Sequence, residues 1–258
     1  MPSIDVDVVR SLIVAPELRS DSQESGTLGV LRGHFSVYNN WYGVSSVWEG
    51  DFLERTAPGF VAETIVANRD SMRVQFDHGF DNQIGSKSLG AILELREDET
   101  GAYFEVALDD TTYNRDLLPG FKRGAYGSSF RMKVRDDVWV DNPKRSEYNP
   151  EGKPERTITR ADVMELGPVA WPANPAATAQ MRSDTDAFYN KLRQRDQGAF
   201  EAACRAANIP IPDFPARSLD PEVAGSGGHD SEPEKAAQSQ PSYRRRAIHR
   251  KLLVRGIL

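Results

Sequence analysis

The first two-thirds of the chain consists of short apolar or alternating segments separated by polar turns, and this pattern restricts the fold most. The segments are rich in β-branched and aromatic residues, as strands are. Between two of them, the polar run Glu97–Gly101 ends in glycine and predicts a hairpin. Many short strands with few helices favour a β-barrel or a β-sandwich. The strand candidates are Ser3–Val14, Gly29–Asn39 and the runs "MRVQFD", "LGAILEL", "AYFEVAL", "GSSFRMKV", "DVWV" and "RTITRADVMELGPVAW".

Two segments interrupt the strands and predict short helices. One, "FVAETIVAN", follows Pro58-Gly59, and the other, "TTYNRDLL", follows Asp110. In the second segment, either Asp110 or Thr111 can cap the helix, because its side-chain oxygen can accept a hydrogen bond from an unpaired N–H of the first turn.

The character of the chain changes near residue 183. Residues 183–208 have helical spacing through Phe188, Leu192, Phe200 and Cys204, with an interruption at Gly198. Residues 209–242 are rich in Pro, Gly, Ser and charge and predict a flexible linker. Residues 243–258, "YRRRAIHRKLLVRGIL", contain no acid and are either a solvated basic tail or a docking segment. We therefore predict a folded domain over residues 1–182, a helical extension, a linker and a tail.

Composition excludes several classes of protein. The net charge of -6 gives no general affinity for nucleic acid. The single cysteine, Cys204, excludes an internal disulfide and a Cys-rich zinc site, and its alanine neighbours predict a thiol packed on a helix. No apolar run approaches the about 20 residues of a membrane helix. The N-terminus lacks the basic lead and apolar core of a signal peptide, so we expect a cytoplasmic protein or one carried inside an assembly built there.

His78 is the first candidate for chemistry, because it follows the apolar run "MRVQF" at a strand end, where scaffolds commonly present functional groups. Asp77, His78 and Asp81 together offer one imidazole and two carboxylates, which suggests a metal site. No H-x-x-H or HExxH pattern supplies the second histidine such sites usually need, so this alternative is weak. The other histidines are His34, for which we expect a structural role in a strand, and His229 and His249 in the linker and tail.

The segment "RGAYGSSFRMKV" offers a hydroxyl nucleophile, which would need an adjacent base to take its proton. Gly124 and Gly127 allow the backbone to bend before Ser128 and Ser129, and a strand follows. The segment is not the G-x-S-x-G turn of α/β-hydrolases, because no glycine stands two places after either serine. On these residues alone, a plain glycine–serine turn is the alternative.

Six segments, in order from about Leu28 to Arg182, resemble the prohead maturation proteases of tailed phages. Among them, "VQFDHGFDNQIGS" is similar to the family segment that carries the catalytic histidine, and "KRGAYGSSFRM" is similar to the segment that carries the nucleophile. The remaining four are "GHFSVYNN", "FLERTAPGFVAETI", "LELREDETGAYFEVALDDTTYNRDL" and "DVMELGPVAWPANPAATAQMR".

The resemblance assigns catalytic roles by position. His78 becomes the general base, and Ser129 becomes the nucleophile because Phe130 matches the family's phenylalanine after the serine. The third member is Glu165, with Asp162 as the alternative, and a carboxylate beside the histidine would hold its tautomer. The chain departs from the family pattern at four places: Asp77 replaces an asparagine, Gly79 an aspartate, Ser128 a methionine and Arg131 a glycine.

The resemblance also implies the fold and the function. The fold is a β-rich α+β one, an antiparallel β-barrel flanked by short helices as in the related herpesvirus proteases. The function is a serine endopeptidase, without metal or cofactor, that cuts scaffold segments of the major capsid protein, or a separate scaffold, and itself. We expect a homo-oligomer inside the procapsid in the host cytoplasm, without membrane or nucleic-acid partners. The alternative is a catalytically inactive capsid-assembly or scaffold protein with the same barrel.

Overall fold

Eleven strands and four helices occur in the residues that the computed structural model describes, 6–19, 26–67, 71–170 and 181–212. The strands are β1 (Val8–Leu12), β2 (Glu17–Arg19), β3 (Thr27–Val37), β4 (Tyr42–Ser46), β5 (Gly50–Thr56), β6 (Arg73–Val74), β7 (Gly90–Glu97), β8 (Gly101–Asp109), β9 (Tyr126–Val140), β10 (Glu155–Ala170) and β11 (Met181–Ser183). The helices are α1 (Ala62–Ala67), α2 (Thr112–Lys122), α3 (Thr185–Arg195) and α4 (Gln197–Ala206).

The larger sheet is built around the long antiparallel pair β9 and β10. Its strand order is β11-β1-β9-β10-β5-β4, with the short β6 also pairing with β10. The end strands β11 and β4 contact each other, so the sheet nearly closes into a barrel. The smaller sheet has the order β2-β3-β8-β7. This arrangement confirms the β-rich barrel with short helices.

Alternation along β9 separates the core from the outer face of the larger sheet. Phe130 and Met132 are buried in the main core, where the ring of Phe35 lies 5.2 Å from that of Phe130. Ser129 and Arg131 therefore point to the other side, toward the helices that follow β11. The catalytic candidates lie on this outer face.

Helices α3 and α4 pack against the outer face through a second apolar cluster. Trp48 stacks on Tyr189 with ring centroids 3.8 Å apart, and Val9 of β1 lies in the same cluster. Cys204 is buried here on α4, as predicted, and burial raises the pKa of its thiol. The predicted interruption at Gly198 is wrong: α3 ends before Asp196, whose side chain accepts a hydrogen bond from Ala199 N at 2.9 Å and caps α4.

A buried ion network occupies the core side of β1. Arg10 is fully buried and donates to Glu54 Oε1 at 2.6 Å and to Glu49 Oε2 at 2.6 Å. Glu54 also accepts from Tyr42 OH at 2.5 Å and from Arg156 Nη1 at 3.2 Å. Burial alone would raise the pKa of Glu54, but the two guanidinium groups outweigh it and hold that pKa below its ordinary value.

Several local predictions can be compared with the structure. The hairpin at Glu97–Gly101 is confirmed as β7–β8, and Thr111 caps α2 by accepting from Asn114 N at 3.3 Å. The runs "GSSFRMKV" and "DVWV" form one strand, β9, and the hairpin β4–β5 was not predicted. Two pairings are parallel, since β5 and β6 both run alongside β10 and α1 provides the crossover between them.

None of the described helices is long and apolar enough to cross a membrane.

Candidate active site

Ser129 lies at the centre of the larger sheet, between β1 and β10. It is opposite Ser11 in the register with β1 and opposite Gly167 in the register with β10. Its side chain is on the outer face and is fully buried. The neighbouring Ser128 has a buried hydroxyl that makes no hydrogen bond within the described part of the chain. The two adjacent serines are thus in different environments.

His78 is presented by a tight turn that follows β6. Gln75 N donates to Leu166 O at 3.1 Å, which holds the start of the turn against β10. The close approach requires Gly167, because a Cβ there would lie 1.9 Å from the carbonyl oxygen of Gln75. Asp77 and His78 then adopt the left-handed region with φ of 48° and 57°, and Gly79 follows with φ of 75°. Such a conformation is strained for residues other than glycine.

The turn brings His78 between Ser129 and Glu165. His78 Nε2 lies 2.8 Å from Ser129 Oγ, and His78 Nδ1 lies 2.5 Å from Glu165 Oε2. The carboxylate places the imidazole proton on Nδ1, which leaves Nε2 to accept the hydroxyl proton of Ser129. Glu165 is buried, and its second oxygen, Oε1, makes no hydrogen bond to any described residue. Chemically, the arrangement can deprotonate a serine and hold the resulting imidazolium.

Ser129 Oγ has two further polar neighbours. It lies 2.9 Å from the carbonyl oxygen of Arg10 and 3.0 Å from Ser11 Oγ. Ser11 Oγ in turn donates a short hydrogen bond to Asp184 Oδ2, at the start of α3. The sequence analysis missed Ser11 and Asp184, although a serine inside the apolar run "VVRSLIV" is a signal that could have drawn attention to β1.

Asp162 is not at this site. It pairs with Arg135, with Arg135 Nη2 2.6 Å from Asp162 Oδ2. A register shift between the two acids interrupts the alternation of β10, so both lie on the same face, with Asp162 further along the strand from the site. Only Glu165 reaches His78.

The residues of the metal alternative do not converge. Asp77 accepts from Lys191, Asp81 accepts from the backbone of Gln83 and Ile84, and both ring nitrogens of His78 face Ser129 and Glu165. No cluster of three or more potential ligands occurs among the residues described. His34, as expected, lies in a strand, where its Nε2 is 3.0 Å from Asp98.

Arg131, which replaces the glycine of the family pattern two residues after Ser129, lies on the outer face of the sheet. It lies opposite Glu165 in the β9–β10 register, and its guanidinium lies 5.5 Å from the centre of the Phe188 ring. Arg131 Nη1 is 3.6 Å from Asp7 Oδ2. The strand β9 therefore keeps its regular pairing at Ser129, the candidate nucleophile, in spite of the arginine.

A cleft of about 190 Å³ opens beside His78. Its apolar walls include Val9, Val169 and Phe188, so β1, the end of β10 and α3 all border it. Two ion pairs lie on its surface, Lys191 with Asp77 and Arg182 with Asp184.

Comparison with known proteins shows which family the chain belongs to. The family profile of the caudovirus prohead serine proteases matches residues 16–191, and the chain belongs to this family. The resemblance drawn from the sequence motifs is thereby confirmed. Among solved structures, the capsid assembly protease gp21 of bacteriophage T4 is similar, with 11% identity and a TM-score of 0.37 over 64% of this chain and 98% of that one. No curated protein sequence matches the chain.

Proposed function

We propose that this phage prohead protease is a serine endopeptidase in which Ser129 is the nucleophile, His78 the general base and Glu165 the residue that orients His78. One observation carries the proposal: Ser129 Oγ, His78 and Glu165 form a continuous hydrogen-bonded chain with spacings of 2.8 and 2.5 Å. A nucleophile, a base and an orienting acid at such distances are the recurrent arrangement for acyl transfer.

The reaction proceeds in two acyl-transfer steps. As Ser129 Oγ attacks the peptide carbonyl carbon, its proton passes to His78 Nε2, and Glu165 stabilises the imidazolium. His78 then gives this proton to the departing amine, which leaves an acyl-enzyme on Ser129. Water, deprotonated by His78, hydrolyses the ester and regenerates the hydroxyl. The substrate lies along the cleft beside His78.

The substrates we propose are scaffold segments of the major capsid protein or a separate scaffold, together with the chain itself, cut inside the procapsid in the host cytoplasm. Membership of the prohead protease family supports this choice. The protease acts as a homo-oligomer, without metal, cofactor, membrane or nucleic-acid partner. The inactive scaffold alternative is less favoured, because an inert barrel has no need to keep the histidine within hydrogen-bond reach of the serine, about 2.6–3.2 Å.

Two variants of adjacent serines test the nucleophile. Ser129→Ala removes the reacting oxygen and should abolish processing, while Ser128→Ala, the matched control, should retain most activity. Each protein is co-expressed with the phage capsid protein, and the fragments are identified by mass spectrometry. Labelling with an alkyl fluorophosphonate, which phosphonylates activated serines, should modify wild type at Ser129 only. Processing by Ser129→Ala at the wild-type rate would assign the nucleophile to another residue, whereas a wild type that neither processes nor becomes labelled would favour the inactive-scaffold alternative.

A further inference from the structure

One face of α3 contacts the turn that carries His78 through two polar side chains. Lys191 Nζ donates to both carboxylate oxygens of Asp77, at 2.6 and 2.7 Å. One turn further along the helix, Arg195 Nη1 donates to the carbonyl oxygen of Gly79. The two contacts therefore bracket His78, with one on the residue before it and one on the residue after it.

Phe188 adds an apolar contact from the same helix face. Its ring lies edge-on to the imidazole of His78, with centroids 5.9 Å apart, and also packs against Phe80 at 5.2 Å. Residues 188, 191 and 195 follow the i, i+3, i+7 spacing of one helix face. Together they contact residues 77, 78, 79 and 80, so every residue of the turn has a partner on α3.

This turn has a particular need for external support. Asp77 and His78 are both left-handed, a conformation that costs free energy for residues with a Cβ and persists where surrounding contacts enforce it. The backbone of the turn pairs with β10 at its entry, through Gln75 N, and the His78 side chain contacts β10 at Glu165. Within the turn, Phe80 N donates to Asp77 O at 2.9 Å, which closes the loop but does not orient it relative to Ser129.

We propose that α3 is a positioning element for His78, with Lys191 as the main positioning residue and Asp77 as its partner. The inference rests on the proposed roles of His78 and Ser129. Lys191 acts through Asp77 and does not touch the reacting atoms. Without it, the turn samples conformations in which Nε2 is displaced from Ser129 Oγ. The helix that follows the barrel is then part of the catalytic machinery.

The test compares four single variants and one double variant in the full-length protein. Lys191→Met removes the charge and keeps the length of the side chain, whereas Lys191→Arg keeps the charge. Asp77→Asn removes the charge of the partner and suits the left-handed region, since asparagine is tolerated there. Lys153→Met is the matched control, because Lys153 forms a comparable exposed ion pair with Asp51 at 3.0 Å, away from the site.

Two readouts are measured on each variant. The first is the rate of labelling by the alkyl fluorophosphonate, separated into a maximal rate and a half-saturating concentration. The second is the proton NMR resonance of His78 Nδ1–H, which reports the hydrogen bond to Glu165 without any turnover. We expect Lys191→Met to lower the maximal rate by about tenfold to a hundredfold, with little change in half-saturating concentration, because small displacements of a catalytic group have effects of this size. Asp77→Asn keeps an amide oxygen that can accept from Lys191 Nζ, so it should lower the rate less.

The remaining outcomes separate positioning from general stability. The double variant Asp77→Asn/Lys191→Met should be no slower than Lys191→Met alone, since the contact between residues 77 and 191 is already lost there. Lys191→Arg should keep most of the wild-type rate. The His78 Nδ1–H resonance should broaden only in the variants whose labelling rate falls. The melting temperatures of all the variants should match that of the control, Lys153→Met. Wild-type rates and an unchanged resonance in Lys191→Met would overturn the proposal. If wild type is not labelled at all, the serine mechanism fails, while the resonance still decides whether α3 orders His78.

Discussion

The hydroxyl oxygens of Ser11 and Ser129 lie 3.0 Å apart across the neighbouring strands β1 and β9. Each hydroxyl has one hydrogen to donate. Ser11 Oγ is placed as the donor toward both Ser129 Oγ and the carboxylate of Asp184, so its single hydrogen is divided between two acceptors. The Ser129 hydrogen goes instead to His78 Nε2 or to the carbonyl oxygen of Arg10.

Ser11→Ala should therefore leave fluorophosphonate labelling of Ser129 within about threefold of wild type, or raise it, since it removes a hydrogen bond donated to Ser129 Oγ and leaves the His78 contact intact. The same substitution at Ser129 should abolish labelling. The measurement is the maximal labelling rate, with circular dichroism to verify folding. A loss of more than about tenfold in a folded Ser11→Ala protein would instead make Ser11 a residue that positions the nucleophile.

Glu165→Gln should lower the labelling rate substantially, but by less than His78→Ala. The amide can donate to Nδ1 and so favour the wrong imidazole tautomer, an effect of up to about 10⁴-fold in a comparable triad. Asp162→Asn is the matched control, because Asp162 lies on the same strand and face but pairs with Arg135 instead of His78. The assignment is reversed if Asp162→Asn is slow and Glu165→Gln is not.

Glu54 should govern part of the acid stability. The pKa of its buried carboxyl is held below the ordinary value by Arg10 and Arg156 in spite of burial, and Tyr42 and Glu49 complete its surroundings. The unfolded chain therefore takes up a proton at Glu54 at higher pH than the folded chain does. The stabilisation is complete above about pH 4.3, the ordinary value for glutamate, and is lost as the pH falls toward the folded-state pKa.

Glu54→Gln should consequently reduce the unfolding free energy at pH 7 by about 3–5 kcal/mol, because Arg10 loses a buried partner. It should also make the unfolding free energy less dependent on pH between about 5 and 3. Urea denaturation at several pH values measures both effects. Glu151→Gln serves as a control, since the Glu151 side chain is 72% exposed. If the unfolding free energy of Glu54→Gln depended on pH as strongly as that of wild type, carboxyl groups other than Glu54 would be responsible for the acid sensitivity.

The candidate site was predictable from sequence to the extent that local motifs carry it. His78 and Ser129 stand in short segments with distinctive glycines. Alternation alone would put Glu165 and Asp162 on opposite faces of β10, but a register shift between them places both on one face. Ser11 and Asp184 were not predictable, because the contact of Ser11 with Ser129 depends on the register of β1 with β9, and that of Asp184 with Ser11 on where α3 begins. Neither is encoded in neighbouring residues.

The same distinction holds for the fold. Turn chemistry at Glu97–Gly101 is local and predicted the β7–β8 hairpin, whereas the parallel pairing of β5 with β10 joins residues about a hundred positions apart. The role of α3 at the His78 turn is also non-local. The amphipathic spacing through Phe188 predicted a packed helix, but not which surface it covers.

The final prediction concerns residues 209–258, of which only 209–212 are among the described ones. Residues 209–242 contain six prolines and a Gly-Ser-Gly-Gly run, a composition that proteases bind as extended chain. Residues 243–258 carry six basic residues and no acid, so the rest of the chain is more acidic than the overall charge of -6. A basic peptide on a flexible tether reaches an acidic partner at high effective concentration.

We therefore expect the wild-type protein to shorten itself within residues 209–242, and Ser129→Ala to keep its full length. Intact-mass measurement of both purified proteins over a long incubation, alone and with capsid protein, decides the question. Ser128→Ala should shorten like wild type. Loss of shortening in Ser129→Ala alone then cannot result from a contaminating protease that was missing from one preparation. A wild-type chain that stays whole under both conditions would rule out self-processing. The proposal that the enzyme cleaves the scaffold would stand, because that reaction uses the same Ser129 hydroxyl on a different substrate.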